Sequence, residues 1–434
     1  KYNVFMQKRN YKRVEKNSDG AYSYKIIDID SYDIFEEPLE IIVTDINDLP
    51  QIGDVLDVLG FVPDTKYFFT KCQDVITVPE HHVNEKGQGN FTFQAYFHNF
   101  PDSVLSINND ALVVLVLHPT ELTASGKRNY NIVGYIHVNR MDIFHEGQRY
   151  DGYYYNMLRV SERVENNKKI YRRKKIFTLM FSIMHSIVGV EKNTAFTYGA
   201  MGKENQAINE ALDLNTKLYE KHYEKWSFYN NTHINKIFGK KSAFAKCIDI
   251  TEDREKLREY YHKIKTQKDK YVFFHINSEE EFFKTLDKIF AYSKSSRVYM
   301  VPDENGNMDA VCFAINWGDY FALQLQNPQG LYKMVAKMKI TDNILYPIMV
   351  VGSPKNADTL LKGIASHYNK TYKCKVTVLN SYDGDPYFKT KKSMLKDDYL
   401  FLIICNDVKK LNDMKEKSKG LDGNVKLFID IPLL

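Results

Sequence analysis

The sequence predicts an α+β protein with two mixed-sheet units in tandem, preceded by a β-rich N-terminal region. At 434 residues the chain exceeds one ordinary domain of about 150 residues. Its 44% hydrophobic content can fill more than one core. Both halves show the same succession of strand and helix patterns. We therefore predict an N-terminal region at 1–110, which packs on or belongs to the next unit, a first unit at 111–250, a charged connecting helix at 251–270 and a second unit at 271–434.

The first unit begins with the most apolar strand pattern of the chain. Ala111–Leu117 is an unbroken apolar run, and Asn131–Val138 is a second strand pattern beyond the loop Thr120–Asn129. We expect these two segments to pair as neighbouring strands.

A central stretch from Tyr153 to Phe228 follows, with the order strand, basic segment, helix, strand and helix. Tyr153–Val160 and Thr194–Met201 have strand patterns, and the basic segment Lys168–Lys175 leads into the first helix. Its apolar stripe has the i, i+3, i+4, i+7 spacing of a helix packed on a sheet: Ile176, Leu179, Met180, Ile183, Met184 and Ile187. We expect the second helix to run to Trp226. Such a unit can hold a phosphate-bearing ligand at a helix N-terminus.

The second half repeats this order after a charged segment, Glu252–Lys270, which we interpret as a solvated connecting helix. A strand at Tyr271–Ile276 and a helix opened by a capping box at Ser278–Glu281 come next. The remaining predicted elements are three meander strands (Arg297–Pro302, Ala310–Asn316 and Tyr320–Gln326), a strand Leu345–Val351, a helix Asn356–Asn369, and strands Cys374–Asn380 and Tyr399–Cys405.

Several of these segments resemble the motifs of GNAT-type (N-acetyltransferase-like) acyltransferases. Asn131 to Val138 (NIVGYIHV) resembles the third strand of that superfamily, and Tyr171 to Phe181 (YRRKKIFTLMF) resembles its cofactor loop and following helix. Asn205 to Phe228 is similar to its closing segment, and Tyr346 to Leu379 follows its fourth strand, helix and fifth strand. The chain is thus similar to two GNAT-like mixed-sheet domains in tandem.

The cofactor turn departs from the family pattern in both halves. The superfamily binds the coenzyme A pyrophosphate with an R/Q-x-x-G-x-G/A turn, whose glycines let backbone N–H groups approach the anion. Aligned on Arg172, the turn of the first half has Lys175 and Phe177 at the glycine positions. The second half has only Gly352–Ala357, without the arginine. Both halves therefore resemble the family with a degenerate cofactor turn, one that lacks the expected glycines or the arginine.

The resemblance implies an acyl-CoA-dependent N-acyltransferase that uses acetyl-CoA or another acyl-CoA and an amine acceptor, either a small molecule or a protein. The acyl-CoA is expected between the fourth and fifth strands of the first half. Glu162, directly or through water, is the candidate general base, and Tyr219 matches the tyrosine that supports the departing thiolate. The candidate phosphate-binding residues are Arg172, Arg173, Lys174 and Lys175.

Plainer interpretations stand beside each of these assignments. The run Lys168–Lys175 has the composition of a solvated loop. Glu162 is equally compatible with an ordinary surface glutamate. Tyr219 has the pattern of a half-buried core residue, with Tyr223 as a competitor one helical turn later. The alternative function is a catalytically inactive GNAT-like binding or structural component of a larger assembly. Among related tandem folds, we set aside the Fem-type transferases, because the chain has no long coiled-coil arm, and the N-myristoyltransferases, because it has no matching signature strands.

Composition argues against other partners and sites. A net charge of +5 is too mild for a general nucleic-acid binder. No apolar run approaches the roughly 18 residues that span a bilayer. His81, His82 and His98 lack metal-ligand spacing, so we expect no metal site. Five scattered cysteines without a CxxC pair predict reduced, mostly buried thiols and a cytoplasmic protein: Cys72, Cys247, Cys312, Cys374 and Cys405.

Overall fold

The computed structural model describes most of the chain. The described residues are 5–33, 38–76, 80–83, 89–108, 110–145, 148–161, 163–165, 168–171, 173–191, 196–203, 209–210, 212–214, 217, 222–268, 278–330, 332–337, 339, 342–382, 385, 395–405 and 407–417. The predicted strand Tyr271–Ile276 lies outside them.

The described residues form runs of strands separated by helices. The strands are β1 (Phe5–Lys16), β2 (Tyr22–Asp33), β3 (Glu40–Asp45), β4 (Glu80–Val83), β5 (Gly89–Phe97), β6 (Ala111–Leu122), β7 (Arg128–Arg140), β8 (Ile143–His145), β9 (Gln148–Tyr150), β10 (Gly152–Val160), β11 (Arg163–Glu165), β12 (Lys168–Tyr171), β13 (Phe196–Gly202), β14 (His222–Ile234), β15 (Ile248–Asp249), β16 (Arg297–Pro302), β17 (Met308–Asn316), β18 (Phe321–Gln326), β19 (Ile344–Val351), β20 (Val376–Ser381) and β21 (Leu395–Cys405). The helices are α1 (Ile52–Val58), α2 (Thr65–Ile76), α3 (Asp102–Ile107), α4 (Arg173–Glu191), α5 (Asn235–Phe238), α6 (Lys241–Phe244), α7 (Arg254–Lys268), α8 (Glu279–Tyr292), α9 (Tyr332–Lys337), α10 (Pro354–Thr371) and α11 (Val408–Lys417).

One mixed sheet of 14 strands joins both halves, in the order β15-β16-β17-β19-β20-β14-β21-β13-β10-β7-β6-β3-β1-β2. The halves exchange strands at its centre. Strand β14 of the first half pairs with β20 of the second, and β21 of the second half pairs with β13 of the first. Strands β14 and β21 also pair with each other, antiparallel. The α+β class with two mixed-sheet units is confirmed, while the domain bounds stay a prediction.

The first unit is built on the predicted β6–β7 pair, which forms with Ala111 opposite Asn139. Helix α4 crosses this pair at Gly134, where an added Cβ would lie 2.6 Å from the Met180 sulfur and 3.2 Å from Ile176 Cγ2. The glycine of the NIVGYIHV segment therefore lets the helix pack directly on the strand.

Helix α4 is buried around nearly its whole circumference. Between Ile176 and Val188 every side chain except Ser186 is buried. One face packs on the sheet, and the β1–β2 hairpin supplies Tyr11 and Ile29 to the same core cluster. The N-terminal region thus covers the face of α4 that does not pack on the sheet. Helices α1 and α2 cover the opposite face of the sheet.

The N-terminal region also contacts the second unit. Strand β5 pairs with β18 in a separate sheet, and the Lys288 ammonium on α8 donates a 2.7 Å hydrogen bond to the Asn108 carbonyl oxygen. The predicted meander is therefore wrong at Tyr320–Gln326. Strand β17 pairs instead with β19, and β18 leaves the main sheet to pair with the N-terminal region.

Two further predictions need correction. Helix α7 is present, but it is no solvated connector, because Leu257, Tyr260 and Ile264 on one face are buried in the second core. The helix predicted to reach Trp226 ends before His222, since His222–Ile234 is a strand. The buried residues of β14 alternate at Trp226, Phe228 and Asn230, which is the period of a strand paired on both sides.

Candidate functional site

Strands β10 and β13 separate within the first unit. They pair in parallel from Gly152 opposite Phe196 to Tyr154 opposite Tyr198. Within the described parts of both strands the pairing ends there, although β10 continues to Val160 and β13 to Gly202. Beyond Tyr154, within the described residues, the two strands are no longer paired, and we call this unpaired stretch between β10 and β13 the gap. The resemblance to GNAT-type acyltransferases makes β10 and β13 the fourth and fifth strands of that fold, between which an acyl-CoA is expected.

A β-bulge in β10 lies at the mouth of this gap. The register with β7 shifts between Asn156, opposite His137, and Arg159, opposite Tyr135. Met157 has a φ of 54°, the left-handed region that a side chain other than glycine seldom adopts. A bulge leaves one residue without a ladder partner and bends its strand. Here it turns the backbone just past the last β10–β13 pair.

The second unit repeats both features. Among the described residues, β19 and β20 pair at Ile344–Leu345 with Val376–Thr377 and no further, and β19 has a register shift against β17. Met349 lies in that shifted segment with a φ of 50°. The two units therefore share a strand separation next to a bulge with a left-handed methionine.

In the second unit, side chains of the protein bond the backbone at the bulge and the N-terminus of the following helix, α10. The Tyr260 hydroxyl on α7 donates a 2.8 Å hydrogen bond to the Met349 carbonyl oxygen. At the N-terminus of α10, Asp309 accepts hydrogen bonds from the Ser353 hydroxyl and, at 2.6 Å, from the Asn356 amide. An internal carboxylate thus lies where a helix N-terminus would otherwise attract an external anion.

The predicted phosphate-binding residues lie at the start of α4. Arg173, Lys174 and Lys175 form its first turn, while Arg172 lies outside the described residues. The ring of Phe177, at a glycine position of the family turn, is buried and stacked on Phe181 at 5.9 Å between ring centres. Phe177 is therefore part of the packing around α4.

The two predicted catalytic residues, Glu162 and Tyr219, also lie outside the described residues. Tyr223, the alternative to Tyr219, is on strand β14, where its hydroxyl donates a 2.7 Å hydrogen bond to the Asp213 carboxylate. That hydrogen bond to a carboxylate raises the pKa of Tyr223. A tyrosine with a raised pKa is a weaker proton donor, so this contact argues against Tyr223 as the group that supports a thiolate.

A buried polar cluster next to the bulge was missed by the sequence analysis. It consists of His137 and Asn139 on β7 and Asn156 on β10, with exposed fractions of 0%, 5% and 6%. His137 is directly opposite Asn156. Among the described residues, His137 Nδ1, Asn139 Oδ1 and both amide atoms of Asn156 have no hydrogen-bond partner. The spacing of two in an otherwise apolar strand was the available sequence signal.

The other ring nitrogen of His137, Nε2, is hydrogen-bonded to a neighbouring side chain on β7. Its Nε2 lies 2.5 Å from the Tyr135 hydroxyl, which in turn interacts with the Cys72 thiol of α2. Burial lowers the pKa of His137 to about 3, and it raises the pKa values of Tyr135 and Cys72. All three side chains are therefore uncharged at neutral pH.

The described residues contain no group of three or more His, Cys, Asp or Glu side chains placed to hold a metal ion. No helix among them is both long enough and apolar enough to cross a membrane.

Comparison with known proteins gives a likeness in fold alone. No family model matches the sequence, and no curated protein matches it. A crystal structure of N-myristoyltransferase from Saccharomyces cerevisiae with bound myristoyl-CoA superposes with a TM-score of 0.50 at 12% identity, over 86% of this chain and 79% of that chain. The N-myristoyltransferases, set aside from sequence, thus share its fold.

Two further structures are more distant. A protein of unknown function from Enterococcus faecalis, described as a probable N-acyltransferase, gives a TM-score of 0.40 at 10% identity, over 82% of this chain and 73% of that chain. A GCN5-related N-acetyltransferase from Anabaena variabilis gives 0.39 at 8% identity, over 84% of this chain and 72% of that chain. Because both scores are low, we base no argument on them.

Proposed function

From the tandem GNAT-type fold that this chain has, we propose that it is an acyl-CoA-dependent N-acyltransferase whose first unit binds the acyl-CoA. The observation that carries the proposal is the gap between β10 and β13, which opens beyond Tyr154 beside the bulge at Met157. A separated strand pair offers backbone groups to an extended ligand, because they have no neighbouring strand to bond with.

The bulge supports an acyl-transfer reaction at this place. Two residues of the bulged strand, Met157 and Leu158, lie opposite the single residue Ile136. Backbone N–H groups released from a ladder in this way can donate hydrogen bonds to the thioester carbonyl oxygen as negative charge develops on it. The gap would hold the pantetheine arm, and the bulge would hold the reacting carbonyl.

The first unit is the better candidate because the second is already filled. There Asp309 is bonded at the N-terminus of α10, and Tyr260 bonds the carbonyl at the bulge. An incoming pyrophosphate would have to displace the Asp309 carboxylate against like-charge repulsion. In the first unit, Arg173, Lys174 and Lys175 begin the corresponding helix and would attract the phosphates.

The reaction that fits this site is direct attack of an amine on the thioester. The amine nitrogen forms a bond to the carbonyl carbon, the carbon–sulfur bond breaks, and coenzyme A leaves as a thiolate. Glu162, or a water molecule that it holds, takes the proton that the amine loses, and Tyr219 supports the thiolate. The acceptor is an amine on a small molecule or a protein.

Thermal unfolding with added ligands tests the proposal. Acetyl-CoA, myristoyl-CoA and free coenzyme A are each added, since acyl-chain length is open. A ligand at 100 times its dissociation constant stabilises a protein by about 2.7 kcal/mol. We expect a shift with at least one acyl-CoA. The double variant Arg172→Ala/Arg173→Ala should lose it. The charge-matched Lys240→Ala/Lys241→Ala variant, where the Lys240 N–H donates to the Lys362 carbonyl oxygen of α10, should keep it.

The same experiment addresses the alternative, an inactive GNAT-like component of an assembly. If no acyl-CoA or coenzyme A shifts the unfolding temperature of the wild-type chain, the enzyme proposal fails. If the shift survives in Arg172→Ala/Arg173→Ala, the chain binds the ligand at another place than the start of α4.

A further inference from the structure

We infer that His137 binds the acceptor amine, by accepting a hydrogen bond from it at Nδ1. This inference rests on the proposed function and adds a residue that neither the sequence motifs nor the fold comparison assigns. His137 lies on β7, directly across from Asn156, the last residue of β10 before the bulge. The amine would therefore sit beside the place where the thioester carbonyl is held.

The unsatisfied atoms around His137 indicate a ligand. Buried polar groups in folded proteins are nearly always hydrogen-bonded, so each exception needs a partner. Four such atoms occur together on His137, Asn139 and Asn156, without a partner among the described residues. They lie on one face of two adjacent strands, because Asn139 is two residues from His137 and Asn156 is its cross-strand neighbour. A small polar group bound between them would satisfy several at once.

That face of the sheet is the one turned away from α4. Ile136 and Val138, which flank His137 on β7, belong to the core cluster with α4, whereas Tyr135 belongs to the cluster with α2. His137 shares the side of Tyr135, as their 2.5 Å contact shows. The start of α4 and the His137 cluster therefore lie on opposite faces, so a coenzyme and an acceptor can approach the gap from opposite sides.

The chemistry of the cluster suits a neutral amine. With His137 uncharged and only amide groups beside it, burial would penalise an ammonium ion more than the free amine. The free amine is the nucleophilic form. A neutral imidazole offers one lone pair, and an amine N–H is a matching donor.

The contact with Tyr135 determines which nitrogen is available. When the Tyr135 hydroxyl donates to Cys72, its oxygen accepts from His137 Nε2–H, and Nδ1 carries the lone pair. Tyr135 is thus a positioning residue for the ring, and Cys72 helps to orient the Tyr135 hydroxyl. Neither touches the substrate in this arrangement.

Methylamine, the smallest primary alkylamine, is the probe for this site. In wild-type protein with ¹⁵N-labelled histidine, the Nδ1 resonance of His137 should shift on titration with methylamine and saturate. The signal is assigned by its absence from a His137 variant. An unchanged Nδ1 resonance across the titration would overturn the inference, whether or not any variant folds.

Two substitutions separate binding from a structural role. His137→Gln keeps a polar atom near Nε2, and therefore the Tyr135 contact, but leaves the Nδ1 position empty. His137→Asn does the reverse. Ligand-observed NMR should show methylamine affinity reduced about tenfold in His137→Gln, the effect of roughly one hydrogen bond, and within about threefold of wild type in His137→Asn. A purely structural role would give the opposite order.

The outcome is distinguishable from failure of the proposed function. Acyl-CoA binding is measured by the thermal shift, which does not involve His137. A normal shift with wild-type methylamine affinity in His137→Gln would refute this inference alone. Absence of the shift would refute the enzyme proposal.

Discussion

Substitution of Gly152 by alanine tests the close contact between the start of β10 and Met141. Gly152 is the first residue of β10 paired with β13. An added Cβ would lie 2.3 Å from the Met141 carbonyl oxygen, 3.1 Å from Tyr198 Cε1 and 3.2 Å from Ile143 Cγ1. Relaxed carbon–oxygen contacts are about 3.3–3.6 Å, so the backbone must retreat by roughly 1 Å. The Met141 N–H donates a 3.0 Å bond to the Gly152 oxygen, and it would be strained.

We expect Gly152→Ala to lower the free energy of unfolding by about 2–4 kcal/mol. Overpacking contributes about 1–3 kcal/mol, and the weakened hydrogen bond contributes about 1 kcal/mol. Denaturant unfolding monitored by circular dichroism measures the change. Gly199→Ala is the matched control, because its added Cβ has a single neighbour, the Tyr155 oxygen at 3.3 Å. Equal stability of the two variants would show that β10 and Met141 are not in the close contact described here.

Three further predictions concern the second unit, acid stability and the thiols. Asp309→Ala should lower the free energy of unfolding by about 0.5–2 kcal/mol in the same denaturant assay, because the Ser353 and Asn356 side chains at the N-terminus of α10 lose the carboxylate that accepts their hydrogen bonds, and it should leave the acyl-CoA affinity of the first unit unchanged. Burial lowers the pKa of His137 in the folded protein to about 3, whereas the histidine of the unfolded chain has its ordinary pKa of about 6.5. Between these two pH values the unfolded chain binds a proton that the folded protein does not, so the folded state loses stability as the pH falls. Wild-type stability should therefore fall more steeply than that of His137→Gln between pH 7 and 5, while Tyr135 and Cys72 stay protonated; parallel curves would contradict this assignment. In native protein at pH 8, alkylation followed by mass spectrometry should find Cys72 and Cys312 unmodified, because burial raises the pKa of both thiols, and rapid labelling of either would contradict their burial.

Local patterns predicted the elements around the site well. The strand pattern of Asn131–Val138 predicted β7, and the helical stripe from Ile176 predicted α4. These elements are determined by periodicity and by residue size, both of which can be seen in a short stretch of sequence. The order of elements in the two halves likewise predicted the fold class.

Long-range pairing could not be predicted in the same way. The start of β14, from His222 to Trp226, was predicted to be helical, because the alternation of this strand becomes decisive only when β20 and β21 lie on both sides. The departure of β18 to β5 depends on segments more than 200 residues apart in sequence. The bulges at Met157 and Met349 have no local signal, since methionine does not favour a positive φ.

The candidate site was predicted only in part. The family resemblance predicted that the fourth and fifth strands separate, and β10 and β13 are unpaired beyond Tyr154 in the described residues. His137 and Asn156 were not predicted, because a polar residue in an apolar strand is commonly hydrogen-bonded to its neighbours and the sequence does not show when it is not. That these atoms lack partners among the described residues became visible only from their burial and register. The roles of Glu162, Arg172 and Tyr219 stay predictions.

Calorimetric titration of the chain with an acyl-CoA tests the central proposal most directly. Because Asp309 and Tyr260 occupy the second unit, we expect one acyl-CoA bound per chain. Binding should be lost in Arg172→Ala/Arg173→Ala and kept in Asp309→Ala. Two molecules bound per chain, or none, or undiminished binding in the arginine double variant would contradict acyl-CoA binding in the gap of the first unit.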